Sequence, residues 1–340
     1  MILIIIFNKR EGIHIFLLRK KNQFLLFSIL LAFSLTMTGC GSSPTSTENS
    51  KTTTRSIKHA MGTTQVPEHP ERVVVLTNEG LETLLSLDVK PIGAVKGFTS
   101  DGEPWYDHLE SQLSGVKVVG TEHQPNLETI ASLKPDLIIG NKMRQEKVYN
   151  QLNAIAPTVF AEKLQGDWKE NFRLYALAVN KEDKAGEVLA QYQQKVDEIR
   201  KNAGGLIDKK VSIVRFIAGN TRLYQLDSFS GVILKDIGFD RPGIQNQNSF
   251  AAVITKEQIP QADGDILFYF TYNSGDSNGS AQEKEFTSDP LWKNLNAVKS
   301  GMAFKVDDVI WNTAGGTKAA FLMLDQLNSQ ISAIKQKQGQ

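Results

Sequence analysis

KEDKAGEVLAQYQQKVDEIRKN, residues 181–202, is the stretch on which the division of this chain turns. It holds no proline and a single glycine, Gly186. Val188, Leu189, Tyr192, Val196 and Ile199 recur at spacings of three and four. That period lines them along one side of a helix and leaves Glu, Asp, Lys and Gln on the other. Gly204-Gly205 follow and end it, because glycine tolerates the left-handed cap. Strand-and-helix patterns lie on both sides. The spacing therefore predicts a connecting helix over 181–203 between an N-terminal lobe, 57–180, and a C-terminal lobe, 204–340. A cleft between two lobes is a natural place for a ligand.

Both flanks alternate short apolar runs with amphipathic ones. Before the connector, 57–67 reads as a hairpin turning at Gly62, and strands are expected at 72–76, 90–95, 116–120, 137–139 and 157–160. Helices are expected at 78–87, 126–133 and 142–155. After it, strands are expected at 210–216, 222–226, 265–270 and 302–306, with helices at 231–237 and 317–335. Single helices between strands point to a parallel sheet covered on both faces. The flanks also echo each other. Glu128 stands eight residues before Asp136 and the strand it opens, and Glu257 stands eight before Asp265 and its strand. Carboxylates favour helix starts, which explains each glutamate alone but not the matched placement.

The N-terminus carries a different signal. Arg19-Lys20-Lys21 precede an apolar run of 14 residues, 24–37, too short for the ~20 of a spanning helix. With Thr38-Gly39-Cys40 it reads as a secretory signal over 1–39, and Met37-Thr38-Gly39-Cys40 resembles a bacterial lipobox. Cys40, the one cysteine of the chain, is then the lipidation site. Residues 1–18 add a second apolar patch, from an unusually long signal or from a start upstream of the real one. The polar Ser/Thr-rich run to residue 56 reads as a flexible tether. Removing 1–39 takes five basic residues and one acidic from totals of 38 and 37, leaving 33 against 36. That balance excludes a nucleic-acid binder of the basic kind.

Further motifs fall in a recognisable order. They are Pro70-Glu71-Arg72-Val73-Val74-Val75-Leu76, Pro125-Asn126-Leu127-Glu128, Leu133-Lys134-Pro135-Asp136, Leu291-Trp292-Lys293-Asn294-Leu295 and Trp311-Asn312-Thr313-Ala314-Gly315-Gly316. In this order the chain resembles the iron-siderophore-binding lipoproteins of ABC importers, the class of ferric hydroxamate, ferric citrate, catecholate and cobalamin receptors. The resemblance implies an α/β fold of two Rossmann-like lobes joined by a single long rigid helix, with the ligand in a shallow cleft. It implies no enzymatic activity and a monomer, anchored by lipid on the extracytoplasmic face of the cell membrane. The partners it implies are a ferric siderophore and an ABC permease with its ATPase. One glutamate per lobe docks on the permease in such proteins, and Glu128 and Glu257 match those positions.

A ferric siderophore is coordinatively complete, so its receptor needs cationic donors and aromatic walls rather than metal ligands or an intrinsic cofactor. Such ligands sit beyond the C-terminal ends of strands. Arg215, at the end of its strand, is the first choice there, followed by Arg144 and Lys96, with Arg222 and Arg241 equally able to pair with local acids. Trp311 and Tyr272 are the candidate aromatic walls, and Asn78 a candidate hydrogen-bond donor. Trp292 is expected to pack inside its lobe. The ligand leans toward a citrate-based hydroxamate or ferric citrate. Haem or cobalamin are the alternatives within binding, but neither explains several basic residues at a cleft edge. A lipid-anchored hydrolase is the alternative outside it, yet no nucleophile elbow, Walker loop or His-Glu-x-x-His motif is present. His59, His69, His108 and His123 are not paired at strand ends, which disfavours a bare-metal receptor.

Overall fold

A computed structural model describes residues 53–99, 102–275 and 277–337. The signal segment, Cys40 and most of the proposed tether lie outside the described residues. Two strands, β1 (Thr54–His59) and β2 (Gly62–Pro67), form an antiparallel hairpin that turns at Gly62, whose φ is +122°. β1 thus begins inside the stretch expected to be tether. Arg55 holds it there: its Nη1 donates to the Leu177 carbonyl at 2.8 Å, satisfying the open C-terminal end of the helix Trp168–Ala178.

The first large sheet is parallel throughout. Its strands are β3 (Val73–Val75), β4 (Gly93–Ala94), β5 (Lys117–Val118), β6 (Leu137–Asn141) and β7 (Thr158–Ala161), in the order β5-β4-β3-β6-β7. The second contains β8 (Val211–Ile217), β9 (Asn220–Tyr224), β10 (Ala251–Ile254), β11 (Ile266–Thr271) and β12 (Ala303–Lys305), in the order β10-β9-β8-β11-β12. This sheet is mixed rather than parallel. β8 and β9 form a hairpin through Ala218-Gly219, and β10 adds antiparallel to β9, while β11 and β12 run parallel to β8.

Asp136 and Asp265, the recurring aspartates, do the same work in each half. Asp136 accepts from the backbone N–H of Glu71 and Arg72, and Asp265 accepts from that of Lys210. Each carboxylate satisfies the chain just ahead of the neighbouring central strand, β3 or β8.

Alternation along the strands separates two faces. Val73 and Val75, Leu137 and Ile139, Val211 and Ile213, and Phe268 and Phe270 join one core together with the helices. Val74, Leu76 and Ile138 belong to a second cluster on the first sheet's other face, and Val214, Phe216 and Leu267 to a third on the second's. One core is therefore shared by both sheets and the helices. The helix predicted over 181–203 runs Glu182–Ala203 and buries Ala185, Val188, Tyr192, Val196, Ile199 and Ala203. It packs on the helices Trp168–Ala178, Phe229–Ile237 and Thr317–Lys337. Tyr192 meets Trp168 edge-on at 5.0 Å and donates to Asp236 at 2.7 Å. Lys195 pairs with Asp325 at 2.5 Å, and Lys335 donates to the Asn202 carbonyl at 2.9 Å.

A second tie crosses between the halves. At the start of the last helix the Thr317 hydroxyl is buried and has no hydrogen-bond partner among the described residues. The open N–H of Ala319 is satisfied instead by Glu82 Oε2 at 2.9 Å, from the helix Asn78–Ser86. The other oxygen of Glu82 meets His108 Nε2 at 2.6 Å. Among the described residues, no helix is long and apolar enough to cross a membrane.

Candidate functional site

The β8–β9 hairpin sets two arginines face to face. Its two-residue turn, with Gly219 at φ +64°, makes Arg215 and Arg222 direct partners across the strands. Like charges in that position repel. Arg215 is relieved from within the protein. Its Nε and Nη2 donate to the two oxygens of Asp308 at 2.6 and 2.9 Å, Nη2 also to Thr313 Oγ1 at 2.7 Å, and Nη1 to Tyr224 at 3.0 Å. A guanidinium has five N–H donors, so four bonds nearly exhaust it. Burial disfavours its charge, but Tyr224 and Asp308 outweigh burial and raise its pKa. A wide π-type turn, Val309–Thr313, brings Asp308 and Thr313 to the same group. Arg222 has no such relief. It is half-buried, with no ion pair or side-chain hydrogen bond among the described residues.

The first sheet supplies the opposite wall. Asn141, at the end of β6, caps the short helix Lys142–Gln145 through its side chain, which places Arg144 at the sheet's C-terminal edge. Gln145 donates to the carbonyls of Leu76 and Glu122 at 3.1 and 2.7 Å and so fastens the strand ends to the 120–124 loop. Glu122, 3 % exposed, accepts from the backbone and side-chain nitrogens of Asn78 at 2.7 and 2.8 Å. Its second oxygen meets Arg144 Nε at 3.3 Å.

Between these walls lies a cavity of about 410 Å³, within the range of small-molecule sites. Arg144, Arg215, Arg222, Tyr272 and Phe98 all line it, joined by Met143, Phe229, Phe250 and residues 312–315. The Arg215 guanidinium stands 5.0 Å from the Tyr272 ring, a cation–π contact. The wall thus offers three guanidinium groups, of which Glu122 and Asp308 already engage two. Glu79 also lines it. Burial first, then Glu122, Glu82 and Asp167, raise its pKa well above the usual carboxylate range against a hydrogen bond from Asn171. A neighbouring cavity of about 600 Å³ shares Phe98 and Tyr272 and is lined by Asp107, Lys305 and Asp307.

Several expected contacts are placed elsewhere. Trp311 is fully buried, 4.6 Å from the Phe268 ring, with Nε1 donating to Gln326 at 2.7 Å. It packs the shared core, and its motif reaches the cavity only through residues 312–315, where Gly315 has φ +67°. Asn78 is buried and committed to Glu122, so it is a brace rather than a free donor. Lys96 is exposed and outside the lining, held by a backbone bond to Gly120. Arg241 is buried on the carbonyls of Val211 and Tyr224 and on Gln245, with its pKa lowered to about 10 by burial. Trp292 packs on Phe216 and Tyr269, as expected.

Glu128 and Glu257 are both exposed in first turns, yet neither caps its helix. Asn126 caps Leu127–Ser132, and Thr255 with Gln258 forms the capping box of Lys256–Ala262. Glu257 accepts from the Thr255 hydroxyl at 2.6 Å, which lowers its pKa.

Comparison with known proteins fits this architecture. The profile of the periplasmic binding protein family matches residues 73–310. A probable siderophore-binding lipoprotein of Bacillus subtilis, YfiY, is 52% identical over 330 residues, 93% of this chain and 100% of that protein. The Fe(3+)-citrate-binding protein YfmC of the same organism is 31% identical, over 87% of this chain and 92% of its own. Among solved structures, Staphylococcus aureus SirA complexed with staphyloferrin B superposes with a TM-score of 0.77. It shares 36% identity and covers 82% of this chain and 98% of its own. From sheet order to the matched residues, the chain belongs to the periplasmic binding protein family.

Proposed function

We propose that this chain is an extracytoplasmic receptor for an anionic ferric siderophore, which it delivers to an ABC permease and its ATPase. Arg222 carries the reading: a guanidinium with no side-chain partner among the described residues, beside aromatic and apolar walls, in a cavity lined from both sheets. Such a group stands at a cost against Arg215 and is matched by a carboxylate or similar oxyanion of the ligand. The ligand class is citrate-based, a hydroxamate or ferric citrate, in keeping with relatives named for siderophore and ferric citrate binding. Iron arrives already wrapped, so the protein need not ligate it, and it needs no cofactor of its own. No cluster of metal-ligating side chains occurs among the described residues. The two sheets correspond to two lobes, with Glu182–Ala203 as the stiff strut across them.

Purified protein mixed with a panel of iron-loaded siderophores, citrate-based, hydroxamate and catecholate, is expected to co-elute on gel filtration with the visible absorbance of a citrate-based complex. Co-elution with none, or with haem instead, sinks the reading.

Glu128 and Glu257 serve as the permease contacts on this account, since their carboxylates are exposed and their helices are capped by others. Glu128→Ala and Glu257→Ala should leave the ligand Kd unchanged while each lowers iron uptake in cells, the pair more than either alone. Weaker binding by either purified variant contradicts that division of labour. The lipid anchor is placed on Cys40. Cys40→Ala should release ligand-competent protein from washed membranes, and retention of the variant on membranes argues against lipidation.

A further inference from the structure

Glu79 is a carboxyl group in the cavity wall for which the binding reading gives no use. It stands in the first turn of Asn78–Ser86 and is only 4 % exposed. Its Oε1 is buried without a hydrogen-bond partner among the described residues. Asn171 is the neighbour that favours the ionised carboxyl, and the charged groups acting on it are Glu122, Glu82 and Asp167, none of them a cation. Glu122 is occupied by Asn78 and Arg144, and Glu82 by His108 and the Ala319 N–H. Tyr175, packed beside it, donates its hydroxyl to the Gly140 carbonyl at 2.9 Å. The guanidiniums of Arg144, Arg215 and Arg222 line the same cavity, but no ion pair reaches Glu79 among the described residues.

Two effects compete over its proton. The helix N-terminus favours the carboxylate, and only modestly. Removal from water beside three other carboxylates disfavours the charge more strongly, and burial is the main cause that raises its pKa. A protonated carboxyl has one O–H to give, and an unpaired polar atom in a buried wall is costly until something pairs it.

We propose that Glu79 is a ligand-binding residue of this cavity, where as a neutral carboxylic acid it donates a hydrogen bond to an oxygen of the bound anion. This rests on the ferric-siderophore reading and narrows it. The ligand presents a proton-free acceptor oxygen, such as a carboxylate or hydroxamate oxygen, at Glu79, and not an ammonium group. A neutral donor adds a contact without repelling the anion. Ionisation would replace it with a like charge, so affinity falls as pH rises through the raised pKa of Glu79.

The test compares wild type, Glu79→Gln and Glu79→Leu across a pH series, titrated with ferric citrate and ferric staphyloferrin B, together with urea unfolding of each unliganded protein. The amide is a neutral donor of the same shape. Glu79→Gln is expected to bind as wild type does at the acidic end and to lose the weakening at higher pH. Glu79→Leu should bind about tenfold more weakly throughout the acidic range. In urea, the contribution of Glu79 to wild-type stability should be fully present below the ordinary carboxylate range and be lost as pH rises through the raised pKa, read as the difference from Glu79→Gln. Glu79→Gln should lack that loss. Equal affinity of Glu79→Leu and wild type overturns the contact, and a Glu79→Gln as weak as Glu79→Leu shows that the anion is what binds. Matching urea profiles for wild type and Glu79→Gln overturn the neutral carboxyl. If the wild type binds neither probe while the urea profiles still differ, the ligand reading fails and the binding role falls with it.

Discussion

Arg215→Ala is expected to destabilise the protein by about 3–5 kcal/mol, because it strands Asp308 as an unpaired charge in a buried site. Arg215 and Asp308 are 8 % and 9 % exposed, and the alanine also strips Tyr224 and Thr313 of their donor. Urea unfolding of the unliganded protein measures the loss. Replacing both partners, Arg215→Met with Asp308→Leu, should recover much of it, since an apolar pair carries no desolvation cost. Arg222→Ala should leave stability unchanged or slightly raised, because it removes a like charge opposite Arg215. A single Arg215→Ala within about 1 kcal/mol of wild type would falsify the internal role assigned to this arginine.

Ligand affinity should show the reverse order. Arg222→Ala is expected to weaken binding of the ferric complex by about 10- to 150-fold, the loss of a charge-assisted bond of about 1.5–3 kcal/mol in a half-buried wall. Arg222→Lys should recover only part of this, since an ammonium keeps the charge but not the planar fork. Calorimetric titration of both variants reads the effect directly. Unchanged dissociation constants in both would mean that Arg222 faces the cavity without meeting the ligand.

The two arginines also mark how far the sequence carries. Both strand runs are legible, but their pairing is not obvious from apolar pattern alone. The Ala218-Gly219 turn between them is the signal that sets the register, and it places Arg222 opposite Arg215. Without it, strand-end position favours Arg215, whereas the guanidinium with no side-chain partner among the described residues is Arg222. Asp308, which occupies Arg215, lies 93 residues away in sequence, so only the tertiary fold joins them. Trp311 misleads for a related reason. Its motif does reach the cavity, but through Asn312 to Gly315, while the indole turns to Phe268 and Gln326. The long helix was legible because its period of apolar residues is uninterrupted. The shared core beneath it was not, since strand alternation shows which residues share a face and not what covers that face. Trp168–Ala178 was missed although Trp168, Phe172, Tyr175 and Ala176 repeat at helical spacing.

The central claim is that an iron complex occupies the cavity between Arg144 and Arg222. Crystals of the protein loaded with a ferric citrate-based siderophore, measured at the iron absorption edge, test it most directly. The account predicts a single anomalous peak inside the cavity bounded by Phe98, Arg144, Arg222 and Tyr272, with no protein atom in the iron's coordination shell. A peak in the neighbouring cavity beside Asp107 and Asp307, or iron bonded directly to a side chain, would contradict it.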